Sequence, residues 1–317
     1  MKNHIIESSS PGISSESFLM TLATNLGLRK LRWSLRRLHC PVPAEALVLE
    51  VGAGGNPYPR ANVLLDAMED TIERNEKSLI TDRPLVLGLC ESLPFKDKVF
   101  DFVIASHVLE HSDDPEKFLS ELMRVSKAGY IETPEGWFEK MCAFIYHRLE
   151  VSNVNGKLLI RKKVSWKPEE IALLWDNKLT HSKPLHDFLV SNPDLNHMRF
   201  YWEDSIDFEI VNAEEPASWE YPLEVSEILE NRPPEKTIKS QIRDIYLTAR
   251  RWLYSQNSRN KTINVYDLLA CPNCFSSQLA ITDTSVSCNE CAVEYQVKNG
   301  IPCLFPNDVK GFDRTHS

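Results

Sequence analysis

The stretch LVLEVGAGGNPYPRANVLLDAME (47–69) constrains the fold more than any other part of the chain. One apolar run carries Glu50 and leads into a loop with Gly52 and Gly54; a second apolar run ends at Asp66. Runs that are apolar throughout, rather than alternating, suit strands buried on both faces, as in a parallel α/β sheet. Glycines at such a turn let the backbone bend sharply and approach a ligand closely. An acid closing the second strand is placed to accept hydrogen bonds from ribose hydroxyls. A dinucleotide loop wants a third glycine where Pro57 stands, and the absence of GK[ST] excludes a P-loop. Only residues 53–62 separate the two runs, Pro57 and Pro59 among them. A crossover usually takes about ten to twelve residues or more, so the first helix is expected to shrink to a turn.

Further strand-length runs follow at LVLG (85–88), FDFVIAS (100–106) and GYIETP (129–134). Between the last two, Asp113 or Asp114 can cap a helix with Pro115 in its first turn and Phe118, Leu119, Leu122 and Val125 on its apolar face. RFYWED (199–204) and FEIVNAE (208–214) read as a closing hairpin, which makes 135–198 an insertion with a small hairpin of its own at VSNVNGKLLIRKK. Residues 1–17 read as a disordered tail. A leucine-rich helical segment then runs to Leu38, with Gly27 as a possible break. Its Arg29, Lys30, Arg32, Arg36 and Arg37 are either a solvated face or a site for an acidic or phosphorylated substrate. After Pro222, residues 223–262 read as a linker whose helix carries Ile238, Ile242, Ile245, Ala249 and Trp252 on one stripe.

The acid two residues before the first glycine, together with GLCESLPFKDKVFDFVIASHVLEH (88–111), resembles class I S-adenosylmethionine-dependent methyltransferases over about residues 45–135. The resemblance implies an α/β, Rossmann-like domain over 18–222, with a mostly parallel seven-stranded sheet and a shortened first helix. It implies that Glu50, Gly52 and Gly54 hold the methionine part of S-adenosyl-L-methionine and that Asp66 binds its ribose. Cys90 and Glu91 would border the adenine, and Ser106 and His107 would lie near the transferable methyl group. Leu89 stands where the family usually has an aspartate, so the adenine is expected to be held by backbone groups or a neighbour. An in-line methyl transfer needs alignment, exclusion of water and, for a hydroxyl or amine acceptor, a base. His107, His111 and His147 are the catalytic candidates, although a packed or capping histidine is the commoner use of each. Glu110 could instead serve a helix N-terminus.

Of the eight cysteines, five fall between Cys271 and Cys303. Cys271-x2-Cys274 and Cys288-x2-Cys291 have the paired-knuckle spacing of four thiolates around tetrahedral, structural Zn2+, against the alternative of buried unliganded thiols. Cys303 stands outside the pairs, as a core residue. YDLLACPNC and VEYQVKNGIPCLFP resemble the small zinc-ribbon activator of tRNA, ribosomal RNA and release-factor methyltransferases over about residues 265–306. The resemblance implies a zinc-ribbon domain at 263–309, followed by a tail at 310–317. Such a ribbon would support the catalytic domain within the same chain or offer a docking site to an outside protein partner.

A net charge of −9 argues against tight nucleic-acid binding. No apolar run approaches the ~20 residues of a membrane span, and the polar N-terminus lacks a secretory apolar stretch, so a cytoplasmic protein is expected. Trp137, Trp166, Trp175, Trp202 and Trp219 fall in or near the insertion, where they either stack on an acceptor or pack the core. The leading expectation is methyl transfer to a small molecule or a glycan or glycolipid precursor. An RNA or protein methyltransferase is the alternative, and a non-catalytic scaffold on the cofactor fold a second one.

Overall fold

The computed structural model describes residues 14–67, 78–142, 144–178, 182–217 and 238–307. The expected tail before residue 14, residues 218–237 with Trp219 and the start of the linker, and residues 308–317 lie outside these.

The leucine-rich N-terminal segment forms two helices, α1 (Phe18–Asn25) and α2 (Arg29–Leu35). Ser17 caps α1 by accepting from the Met20 N–H at 3.2 Å. Gly27, at φ +69°, makes the break between them. Residues 14–17, expected in the disordered tail, are held by the fold: Glu16 pairs with Arg32 at 2.6 Å and with the buried Arg199 at 3.4 Å.

Strands β1 (Val48–Val51), β2 (Val63–Asp66), β3 (Leu85–Leu87) and β4 (Phe102–Ser106) are buried along almost their whole length, as their unbroken apolar runs require. No helix forms between β1 and β2, so the first crossover is the turn that its length and prolines predict. Helix α3 (Pro115–Val125) is capped by Asp114, which accepts from the Lys117 N–H at 3.1 Å. It packs Phe118, Leu119, Leu122 and Val125 into the core beneath β5 (Ala128–Pro134).

The insertion supplies α4 (Gly136–Cys142), the hairpin β6 (Leu149–Val154) and β7 (Lys157–Lys162), then α5 (Glu170–Lys178) and α6 (Lys183–Ser191). Asn155 and Gly156, both at positive φ, make the two-residue turn of that hairpin. The expected closing hairpin does not form. β8 (His197–Glu203) runs antiparallel to β5, whereas β9 (Phe208–Ile210) joins β7 in a separate three-stranded sheet. β8 is buried on both faces and belongs in the main sheet; β9 is only partly covered. Gly129 admits the buried indole of Trp202, since a Cβ there would meet it at 2.7 Å.

Helix α7 (Ile238–Tyr254) and α8 (Asn257–Asn260) return the chain to the start of the sheet. Asn260 and Gln256 take hydrogen bonds from Asn62 just before β2, and Arg259 donates to the carbonyls of Ala44 and Ala46 before β1. Ile238, Ile242, Ile245 and Trp252 of α7 remain exposed among the described residues, so its apolar stripe is not covered by them. No described helix is long and apolar enough to cross a membrane.

The cysteine-rich module contributes β10 (Leu279–Ile281), β11 (Ser285–Cys288), β12 (Glu294–Lys298) and β13 (Ile301–Cys303). β13 lies parallel to β3, with the Leu304 N–H donating to the Leu87 carbonyl at 2.8 Å. Among the described residues the main sheet therefore has ten strands in the order β10-β11-β12-β13-β3-β2-β1-β4-β5-β8, six of them preceding the cysteine-rich module, where seven in a separate sheet were expected.

Candidate active site

Glu50 and Asp66 organise the glycine loop from its two ends. Glu50, 3% exposed, accepts from the Tyr58 N–H at 2.7 Å; Asp66 accepts from the Gly54 N–H at 2.9 Å. Gly52 (φ +64°) and Gly54 (φ +56°) hold the left-handed conformation that glycine takes without strain. Gly52 is also pressed on Val108, whose Cγ2 would lie 2.1 Å from a Cβ added there. Burial pushes the Glu50 carboxyl up to about 7, although Arg37 and the Tyr58 N–H pull the other way.

Polar groups around this loop are left for something other than protein. Asn56 Oδ1 and Arg37 Nε are buried without a hydrogen-bond partner. Ser106 Oγ and the Tyr58 hydroxyl lie near each other, buried, and do not complete a well-formed hydrogen bond. A zwitterionic, hydroxyl-bearing ligand suits such a set, with two carboxylates, a guanidinium and exposed backbone at the glycine turn. On the far side of Asp66, Cys90 and Glu91 sit in a tight turn after β3. Glu91 accepts from the Ser112 hydroxyl at 2.5 Å, and burial raises both its carboxyl and the Cys90 thiol.

At the end of β4, His107 takes φ +59° and turns its ring between two carboxylates. Nδ1 lies 3.1 Å from Glu110 and Nε2 lies 3.3 Å from Glu132. Burial opposes the charge, but these two contacts raise the imidazole to about 10. With both nitrogens engaged, His107 is poorly placed to take a proton from an acceptor.

Glu132 is the residue that sequence reading missed. Fully buried in β5, it receives two hydrogen bonds from Arg36, at 2.7 and 2.8 Å, and another from the Tyr130 hydroxyl. Despite desolvation, Arg36 holds its carboxyl well below the usual range. The Arg36 guanidinium stacks 3.6 Å from the Trp33 ring centroid, so the helix-to-turn junction is clamped over the carboxyl ends of β4 and β5. The basic N-terminal segment is thus largely spent inside the fold: Arg29 bonds to Asn192, Arg32 to Glu16 and Asp194, and Arg37 to the Asn56 carbonyl. Arg32 and Arg36 are committed inside the fold, whereas Arg29 and Lys30 stay exposed and Arg37 keeps a buried Nε without a partner beside the glycine loop.

His111 and His147 meet edge to face, with centroids 4.8 Å apart, and Glu110 lies beside them. Glu110 does not serve the α3 N-terminus, where Asp114 is the cap. Of the insertion tryptophans, Trp175 and Trp202 are buried, while Trp137 is 44% exposed and donates to the Leu195 carbonyl.

In the module, the thiols of Cys271, Cys274, Cys288 and Cys291 converge, with Sγ separations of 3.6 Å (Cys271–Cys291) and 3.5 Å (Cys274–Cys288). Bonds of about 2.3 Å to a tetrahedral ion place sulfurs roughly 3.8 Å apart, so the four thiols fit a structural metal site with little movement.

Residues 49–131 match the family profile described as a methyltransferase domain. An uncharacterized methyltransferase of Schizosaccharomyces pombe is 36% identical over 85 residues, covering 26% of this chain and 31% of that protein. An uncharacterized protein of Methanocaldococcus jannaschii is 32% identical over 84 residues, covering 26% and 40%. The chain thus spans less than half the length of these curated relatives. Among solved structures, an S-adenosylmethionine-dependent methyltransferase of Mesorhizobium loti is 15% identical, with 52% of this chain and 79% of that one covered and a TM-score of 0.28. A Haloferax volcanii complex containing the Trm112 methyltransferase activator gives 17%, 43%, 75% and 0.27. Overall similarity at that level carries no argument about function. The chain has a Rossmann-like fold with a large, mostly parallel sheet, residues 49–131 carry the match to a methyltransferase domain, and the C-terminal cysteine cluster is compatible with a small zinc-binding domain.

Proposed function

We propose that the chain is a cytoplasmic S-adenosylmethionine-dependent methyltransferase acting on a small molecule or a glycan or glycolipid precursor. The observation that carries the reading is the pairing of Glu50 and Asp66 across a glycine loop edged by buried polar atoms with no protein partner. Glu50 and the loop would take the amino-acid end of the cofactor, Asp66 its ribose, and the turn at Cys90 and Glu91 its adenine. When bound, the cofactor would supply an electrophilic sulfonium methyl group for an acceptor that gives up its proton. His107, fixed by Glu110 and Glu132, orients the end of β4, and loss of the acceptor's proton is assigned to the side of the site where His111 and His147 lie.

A small acceptor is favoured because the arginines of α2 and the turn after it are bonded internally, which leaves no basic strip there for a phosphate backbone. Zn2+ on the four cysteines would fold the ribbon, and β13 would carry that support into the methyltransferase sheet. Calorimetry with S-adenosylmethionine tests the cofactor reading: no binding would sink it. Tritiated methyl label should enter small-molecule or lipid extracts; label confined to total RNA would overturn the acceptor class. Binding without transfer to any fraction would leave the scaffold.

A further inference from the structure

We infer that Glu110, His111 and His147 form a second metal site, distinct from the cysteine cluster, for a divalent transition-metal ion. One ligand atom from each side chain lies within 4.8 Å of the other two. An ion with bonds of about 2.0–2.2 Å to nitrogen and oxygen would draw them together by modest side-chain rotation.

The decisive atom is Glu110 Oε2. The residue is 1% exposed, its Oε1 faces His107, and its Oε2 is buried with no hydrogen-bond partner. A carboxylate oxygen left bare inside a protein is costly unless a cation meets it. The backbone brings the second half of the site to it: the Arg148 N–H donates to the Glu110 carbonyl at 2.6 Å, which sets His147 beside the turn that carries Glu110 and His111. His147 is already oriented as a ligand. Its Nδ1 is 2.6 Å from Glu139 Oε2, and Lys163 holds the other oxygen of Glu139 at 2.9 Å. A carboxylate on one imidazole nitrogen fixes the ring and leaves Nε2 for the metal.

Two imidazoles and one carboxylate are a donor set for Zn2+, Mn2+, Fe2+ or Co2+, and three protein ligands leave positions open for an oxygen donor. Where the ion meets substrate, a part that rests on the methyltransferase reading, that donor is an acceptor hydroxyl.

The test is a Mn2+ titration of full-length protein carrying one zinc per chain, which four thiolates hold more tightly than two imidazoles and a carboxylate, followed by the electron paramagnetic resonance signal of the free ion. Mn2+ is too hard to displace zinc from four thiolates. About one Mn2+ per chain should bind, and Glu110→Gln and His147→Ala should each weaken it tenfold or more. Zinc content and circular dichroism of both variants should stay at wild-type values; Glu110→Gln, nearly isosteric, guards against misfolding of the other. No Mn2+ binding, or unchanged binding by Glu110→Gln, overturns the site. Cofactor calorimetry on the wild-type protein is independent of this result, so failure of the metal site and failure of the methyltransferase reading are distinguishable.

Discussion

Glu50 gives the proposed cofactor site a pH dependence that can be worked out. Its carboxyl is raised by burial to about 7, from an ordinary value near 4.5. Such an acid costs the empty protein stability as pH rises: the penalty is absent below about pH 4.5 and complete above pH 7, where it approaches about 3 kcal/mol. A cationic ammonium set against Glu50 favours the ionised form and relieves that cost, so binding releases the proton. Affinity for S-adenosylmethionine should therefore rise with pH. If the bound carboxylate is ionised throughout, the apparent Kd should fall about tenfold from pH 6 to pH 8. The ligand's own amino group titrates near the top of this range, so the informative quantity is wild type minus Glu50→Gln. The variant should bind more weakly at pH 8, by about 1.5–3 kcal/mol for a lost charged hydrogen bond, and should lose the proton release. Calorimetry in two buffers of different ionisation enthalpy reads both. A Kd with the same pH slope in both proteins would refute the reasoning, and would place the cofactor's ammonium elsewhere.

Four other perturbations probe the glycine loop and the ribbon. Asp66→Asn can still accept from the Gly54 N–H but lacks the charge, and calorimetry should show cofactor binding weakened by about 1–3 kcal/mol. Gly52→Ala forces a left-handed alanine onto Val108; denaturant unfolding should show about 2–4 kcal/mol of lost stability, with cofactor binding abolished. Cys274→Ser should release zinc and lower the melting temperature of the whole chain, and a chain ending near Ser258 should be insoluble because β3 loses its neighbour. An equally soluble and stable truncation would remove the ribbon from any supporting role.

Much of the central sheet was legible because β1 to β5 are local: each is an apolar run closed by Gly, Pro, Asp or Ser, and the shortened crossover followed from ten residues with two prolines. The Glu132–Arg36 pair was not. An acid inside GYIETP signals a buried partner, since a lone charge in a buried strand is not tolerated, but nothing in the local pattern says which of several arginines provides it. The fate of β9 was hidden for a related reason: FEIVNAE pairs with a strand nearly fifty residues earlier, and hairpin proximity suggested the wrong neighbour. The meeting of His147 with Glu110 and His111 depends on contacts between distant segments, the Arg148–Glu110 backbone hydrogen bond and the Arg148–Asp113 ion pair among them, for which sequence spacing holds no signal.

The ribbon's position follows from two separate weaknesses. An open α/β sheet ends in strands with unpaired backbone groups, which invite association unless covered. A module of some forty-five residues, for its part, buries too little apolar surface to be stable alone. Here each covers the other. β13 occupies the free edge of β3, while the Lys96 N–H donates to the Leu268 carbonyl and the Ala270 N–H to the Pro94 carbonyl on the flank. Leu93 and Phe95 share one apolar core with Val286, Tyr295 and Leu304, and Arg124 of α3 reaches over the Phe275 ring beside the knuckle. An outside protein adding a strand at β3 would first have to displace β13 and open that core. A partner that binds by adding a strand is therefore not expected at the sheet edge that β13 already fills.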